Sequence, residues 1–155
     1  MRSGRLGLLT TPGVAWVSLS LALGLHVVDE ALHGFLSYYN PAALALRDRL
    51  SFVGPPTFSF EVWLVGLIVG VILLFALSPM TFRRVRWMRP LAFALSLIMI
   101  FNAGIHFSWS LVRSEIVPGT YSSPVLLAAA LCLLVAAVRD WKPSSSRRSP
   151  GADPG

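Results

Sequence analysis

His26-Val27-Val28-Asp29-Glu30-Ala31-Leu32-His33 is the stretch on which the reading of this chain turns. It sets four ionisable side chains inside an otherwise apolar run. Positions 26, 29, 30 and 33 follow helical spacing, so all four fall on one stripe of a helix. The surrounding run extends from about Gly13 to Phe35, opened by Thr11-Pro12. That is close to the ~20 residues a bilayer core requires. Ionisable groups inside such a segment are costly and by default mark a functional site. One stretch therefore predicts both a spanning helix and a site on it.

Composition agrees with the membrane reading. The 155 residues are 55% hydrophobic and only 13% charged, with a mean hydropathy of +0.68. Soluble domains carry about 25% charged residues. The net charge of +6 would suit nucleic acid, but the placement of the basic residues explains it otherwise, as shown below. Cys132 is the only cysteine, which excludes a disulfide framework and a cysteine metal cluster. Its apolar surroundings predict a buried, inert thiol.

Three further apolar segments follow. The second runs from about Phe58 to Leu77 and is stopped by Ser78-Pro79. The third runs from Arg89-Pro90 to about Val112, with Pro90 suited to a helix start. The fourth runs from about Tyr121 to Val138, with Pro124 in its first turn. The expected fold is all-α: a polytopic membrane protein built as a four-transmembrane-helix bundle over residues 13–138. Residues 1–12 form a cytoplasmic N-terminal segment, and residues 139–155 a basic cytoplasmic tail, polar enough to be disordered. A cleaved signal peptide is the rival reading of the N-terminus, with Arg2 and Arg5 as its basic region and Ala22-Leu23-Gly24 at the cleavage site. The apolar stretch runs on past that point and carries the polar stripe, which favours a retained span.

Lysine and arginine placement gives the orientation. Arg2 and Arg5, then Arg83, Arg84, Arg86 and Arg89, then Arg139, Lys142, Arg147 and Arg148 account for ten of the thirteen basic residues. In a four-span chain all ten fall on one side, so both termini are expected in the cytoplasm of an integral membrane protein. The basic excess is a topology signal, and no nucleic-acid partner is expected. Pro41–Leu50 reads as a short interfacial helix in the first connection. Phe35, Tyr38, Tyr39, Phe58, Trp63, Trp109 and Tyr121 suit one membrane interface, and Trp16, Trp87 and Trp141 the other. Gly66 and Gly70 form a GxxxG pair, which predicts close packing against a neighbouring helix.

The same topology puts the polar residues in one layer. At ~1.5 Å per residue, His26 lies about 21 Å beyond Pro12 and Asn102 about 18 Å beyond Pro90. Spans one and three both run outwards. His26, Asp29, Glu30 and His33 thus share the outer half with Asn102 and His106, with Glu61 near the start of span two, and with Tyr121, Ser122 and Ser123. Each ionised group near a helix centre costs ~2.5–3.5 kcal/mol to insert. Such groups must face the bundle, pair, bind a metal or become neutral.

Three chemistries would use this layer. Glu30-x-x-His33 is a pair found in carboxylate metal centres of helix bundles; His26 adds a ligand one turn earlier and His106 completes the set from span three. Imidazole with carboxylate suits zinc, iron or manganese. Alternatively, Glu30, His26, Asp29, Asn102 and Glu61, with Trp109 beside them, would do metal-free acid–base catalysis on a lipophilic small molecule entering from the lipid bilayer. The non-enzymatic alternative is a proton-coupled transporter or an accessory subunit whose polar cluster only joins helices. Two imidazoles more than ~10 Å apart could not share one metal, given bonds near 2 Å. The separation of His26 from His106 is therefore a decisive distance.

His26-x-x-Asp29-Glu30, Asn102-x-x-x-His106 and Pro118-Gly119, in that order over roughly residues 20–135, resemble the HXXEE family of small bacterial membrane proteins. Asp29 stands where the family name has glutamate, and His33 lies outside the motif. The resemblance implies a bacterial plasma-membrane protein with a polar core and supplies no reaction. More loosely, His26-x-x-x-Glu30, Glu61 and Asn102 to Trp109 are similar to the set in membrane sterol isomerases of the emopamil-binding type.

Overall fold

The computed structural model describes residues 11–50 and 54–139. These form five α-helices and, among the described residues, no strand: α1 Pro12–Leu32, α2 Leu36–Leu50, α3 Phe60–Phe82, α4 Met88–Arg113 and α5 Ser123–Arg139. Residues 1–10 and the tail from residue 140, for which a cytoplasmic segment and disorder were expected, lie outside this description. Helices α1, α3 and α4 are long and apolar enough to cross a membrane, whereas α5, at 17 residues, is a shorter apolar helix.

Each boundary has a local cause. Pro12 opens α1 at a position where its missing N–H costs nothing. The helix ends three residues before the expected Phe35, because Gly34 takes a left-handed φ of +71°. Phe35 N–H then donates back to the Glu30 carbonyl at 3.0 Å, which closes a Schellman-type cap. Pro79 was expected to stop the second span. Instead α3 continues through it to Phe82. Pro79 falls in the last turn, where Thr81 Oγ1 donates to the Ser78 carbonyl at 2.7 Å. Pro90 lies in the first turn of α4, again where no donor is needed. Helix α5 starts two residues later than expected, because the chain before it is a bonded turn. Ser123 N–H and Oγ both donate to the Gly119 carbonyl, at 3.1 and 2.7 Å.

Helix α2 is longer than the expected Pro41–Leu50 and carries Pro41 inside it. Tyr38 and Tyr39 N–H groups both reach the Phe35 carbonyl at 3.0 Å, so the turn after α1 starts α2 directly. Asn40 then ties α2 to the entry of α3: its Nδ2 donates to the Phe58 carbonyl at 3.0 Å, and Phe58 N–H donates to its Oδ1 at 3.1 Å.

Helix α1 is central, packed on α3 and on α5, and α5 in turn packs on α4. The core at one end joins Ala15, Trp16, Leu19 and Ala22 of α1 to Met88 and Ala92 of α4 and to Leu126, Ala130, Leu133, Ala136 and Ala137 of α5. Small residues allow this close approach. Trp16 is fully buried and its Nε1 donates to the Leu74 carbonyl at 2.7 Å, fixing α1 to α3. The face of α3 turned away from α1 is open, with Val62, Val65, Val69, Ile72 and Leu73 exposed. A continuous apolar surface of this kind suits lipid and not water. Gly66 is exposed on that surface and Gly70 is half-buried at its edge. A Cβ at either would meet nothing within 4 Å, so the expected close packing does not occur among the described residues. Cys132 is half-buried at the edge of the core, not buried as its surroundings suggested.

Candidate metal centre

The polar stripe of α1 faces α4 and the turn before α5. His26, Asp29 and Glu30 are buried, and so is His106 of α4. The imidazoles of His26 and His106 meet edge to face with centroids 4.8 Å apart, well inside the separation that would forbid a shared ion. Glu30 Oε1 stands between them, 3.5 Å from His26 Nε2 and 3.2 Å from His106 Nε2. The helical step from 26 to 30 sets the first contact, and the convergence of α4 supplies the second.

A second layer of bonds holds His26. Ser122, in the turn before α5, donates its N–H (2.9 Å) and its hydroxyl (2.7 Å) to Asp29 Oδ2. Of the two oxygens within reach of its single hydroxyl proton, Asp29 Oδ2 at 2.7 Å is nearer than the Gly119 carbonyl at 3.2 Å, so Ser122 Oγ accepts from His26 Nδ1 at 2.8 Å. This assigns the proton of neutral His26 to Nδ1 and leaves Nε2 as an acceptor, 3.5 Å from Glu30 Oε1. Asn102 Nδ2 lies 3.0 Å from that Nε2 and donates to it. The resulting order, Asp29–Ser122–His26, places a carboxylate-backed acceptor behind the imidazole. Metal-bound histidines are commonly oriented by such an acceptor.

His106 is held differently. Gly119 has a left-handed φ of +87° and lies against the imidazole, so a Cβ there would come 2.5 Å from Cε1. On another side Phe35 packs at 5.7 Å between centroids. Phe35 also stacks on Tyr39 and on Trp63, which back the ring that covers His106. His106 Nδ1 is buried with no hydrogen-bond partner among the described residues. Only its Nε2 is engaged, and that atom points to Glu30.

Two predicted members stay outside. His33 is about half exposed, and its Nδ1 lies 2.8 Å from Asp29 Oδ1 and 2.8 Å from the Asp29 carbonyl, to which it hydrogen-bonds. The Glu30-x-x-His33 pair therefore does not converge; His33 follows the helix terminus outwards. Glu61 is exposed in the first turn of α3 and makes none of the contacts that tie the cluster together. Trp109 is half-buried and likewise joins none of the polar contacts. Ser122 and Gly119 are the residues to which the sequence reading gave no role at the site.

The donor set comes close to the geometry of a bound metal. One ligand atom from each of His26, Glu30 and His106 can be chosen so that all lie within 4.8 Å of one another. Bonds of ~2.0–2.1 Å in a tetrahedral site imply ligand–ligand edges of about 3.3–3.4 Å. The two Glu30 edges, at 3.5 and 3.2 Å, already match. Closing the widest edge takes a shift on the order of 1 Å. Two imidazoles and one carboxylate suit zinc, iron or manganese, and three protein ligands leave a position open. The residues fit such an ion.

A scan against protein-family models and searches of curated proteins and of solved structures found no match.

Proposed function

We propose that this chain is an integral membrane enzyme whose His26, Glu30 and His106 hold a zinc, iron or manganese ion, and which acts on a lipophilic small molecule. The observation that carries the reading is the convergence of three buried ligand atoms, with Ser122 and Asp29 orienting one of them. The chemistry such an ion supplies is polarisation of a substrate oxygen or activation of a water. The protein's part is to hold the donors in a dry, fixed arrangement and to keep His26 in the tautomer that presents Nε2.

The membrane arrangement is part of the same proposal. Helix α5 is its fourth span, both ends of the chain are cytoplasmic, and the cluster lies in the outer half of the bilayer. The ten-of-thirteen bias in basic residues supports that orientation. A bacterial plasma-membrane location rests on the HXXEE resemblance, which stands on short motifs alone. The lipophilic substrate class is supported by the apolar helices around the site, whose exposed faces suit lipid. A wholly apolar groove of about 360 Å³ runs between α1 and α3, with Val27, Val28 and Ala31 on one wall and Leu64 and Ile68 on the other. Its α1 residues lie on the face of the helix opposite the polar stripe, so the groove is separate from the cluster and marks only the apolar character of that side of the bundle.

One observation favours a second reading, metal-free acid–base catalysis. Asn102 donates into the His26 lone pair that an ion would need. In that case Glu30 and the two imidazoles would exchange protons with the bound molecule. Cobalt titration of the detergent-purified apo-protein separates the two. The metal reading expects saturable visible ligand-field bands that are absent in Glu30→Gln. Acid–base catalysis without a metal expects no such bands in either protein.

A further inference from the structure

The opposite end of the bundle carries a second cleft, unconnected with the His–Glu cluster. It lies between the start of α4 and the end of α5, encloses about 290 Å³ and is lined by Arg89, Pro90, Phe93, Ala137 and Val138. Arg89 is exposed yet held in place, because its Nε donates to the Ala137 carbonyl at 3.0 Å. Ala137 is in the last turn of α5, where carbonyls lack an intrahelical donor. The contact therefore caps one helix and fixes the guanidinium of the other. The terminal amino groups hold the rest of the donors of Arg89, and no described residue takes them.

Beneath this charge the surface is apolar. Phe93 lies one turn further along α4 and is 44% exposed, and Val138 beside it is 51% exposed. Trp87, 49% exposed, marks the same level, as expected where a bundle meets headgroups. Arg83, Arg86 and Arg139 are exposed at this end as well. Every described acidic residue (Asp29, Glu30, Asp48, Glu61 and Glu115) belongs to the other half of the fold.

From this geometry we infer an anionic phospholipid site: the lipid phosphate engages the Arg89 guanidinium, and an acyl chain lies along Phe93 and Val138. A planar guanidinium with one nitrogen anchored presents its remaining donors as a fork matched to phosphate oxygens. Charge complementarity selects an anionic headgroup over a zwitterionic one, and the apolar floor selects a lipid over a free anion. The inference rests on the chain lying in a bilayer and is independent of the metal.

Native mass spectrometry of the full chain, released from detergent mixed with phosphatidylglycerol and phosphatidylcholine, tests it. The wild type is expected to retain phosphatidylglycerol in preference. Removing one arginine close to an anionic surface costs ~1 kcal/mol, or about fivefold. Arg89→Ala should therefore reduce retention about fivefold or more, while Arg86→Ala leaves most of it. Arg89→Gln keeps an amide to donate to Ala137; with the fold so protected, it should lose retention like Arg89→Ala. Equal retention of the two lipids would overturn the inference. Equal losses in Arg86→Ala and Arg89→Ala would do so as well, by showing diffuse attraction to the basic end. Complete displacement by millimolar inorganic phosphate would identify a free anion as the ligand and would also overturn it.

Discussion

The hydroxyl oxygen of Ser122 lies 2.8 Å from Nδ1 of His26. The two residues are 96 positions apart, and their contact joins the first helix to the turn before the last. Because the hydroxyl proton goes to Asp29, the contact fixes which imidazole nitrogen is free. Ser122→Ala would strip His26 and Asp29 of a shared buried partner. A loss of about 1–3 kcal/mol in stability is expected, together with a 10–100-fold weaker metal affinity. Thermal unfolding in detergent and a competitive chelator titration measure the two effects. Ser122→Thr keeps the hydroxyl and should restore metal affinity if its methyl is accommodated.

Gly119 is required twice, for its left-handed φ and for its closeness to His106. Gly119→Ala combines backbone strain with a collision against a buried ring. The expected cost is about 1–3 kcal/mol from the backbone alone, seen as a lower melting temperature, with weaker metal retention because the His106 imidazole must move. An unchanged melting temperature would show that the turn is not packed on His106.

Glu61 separates this geometry from the depth argument drawn on the sequence. It is exposed and apart from the cluster, so Glu61→Gln should leave metal content unchanged and alter stability by no more than ~0.5 kcal/mol. Loss of metal in this variant would return Glu61 to the site.

His33 gives a graded expectation. It is half exposed and pairs with Asp29, not with Glu30. His33→Ala should therefore retain metal at full stoichiometry, whereas His106→Ala should lose it. Parallel elemental analysis of the two proteins reads the difference directly.

The contrast between these residues shows what the sequence could carry. Helical spacing placed His26, Asp29 and Glu30 on one face, and counting along spans from Pro12 and Pro90 brought Asn102 and His106 to the same level. Both inferences use axial position, which a helix keeps faithfully at a fixed rise per residue. Rotation about the axis is another matter. Glu61 lies in a helix that is apolar nearly all round, so no hydrophobic stripe indicates which way it faces. His33 obeys the spacing of the stripe, but Gly34 ends the helix immediately after it and the side chain leaves the interior. Ser122 was legible only as a residue near the layer, since serine before a helix is ordinarily a cap or turn residue. Its role as the bridge between Asp29 and His26 depends on a tertiary contact that no local pattern encodes. The continuation of α3 through Pro79 has a similar cause: a proline in a last turn loses one bond, and hydroxyl bonds from the neighbouring Thr81 and Ser78 stabilise the turn that remains.

Elemental analysis of the detergent-purified protein, set beside Glu30→Gln and the double variant His26→Ala/His106→Ala, tests the metal centre most directly. The account predicts a stoichiometric transition metal in the wild type, and its loss in both variants while their helical circular dichroism is retained. A wild-type protein that binds no zinc, iron or manganese even after incubation with each, or variants that hold as much as the wild type, would contradict it.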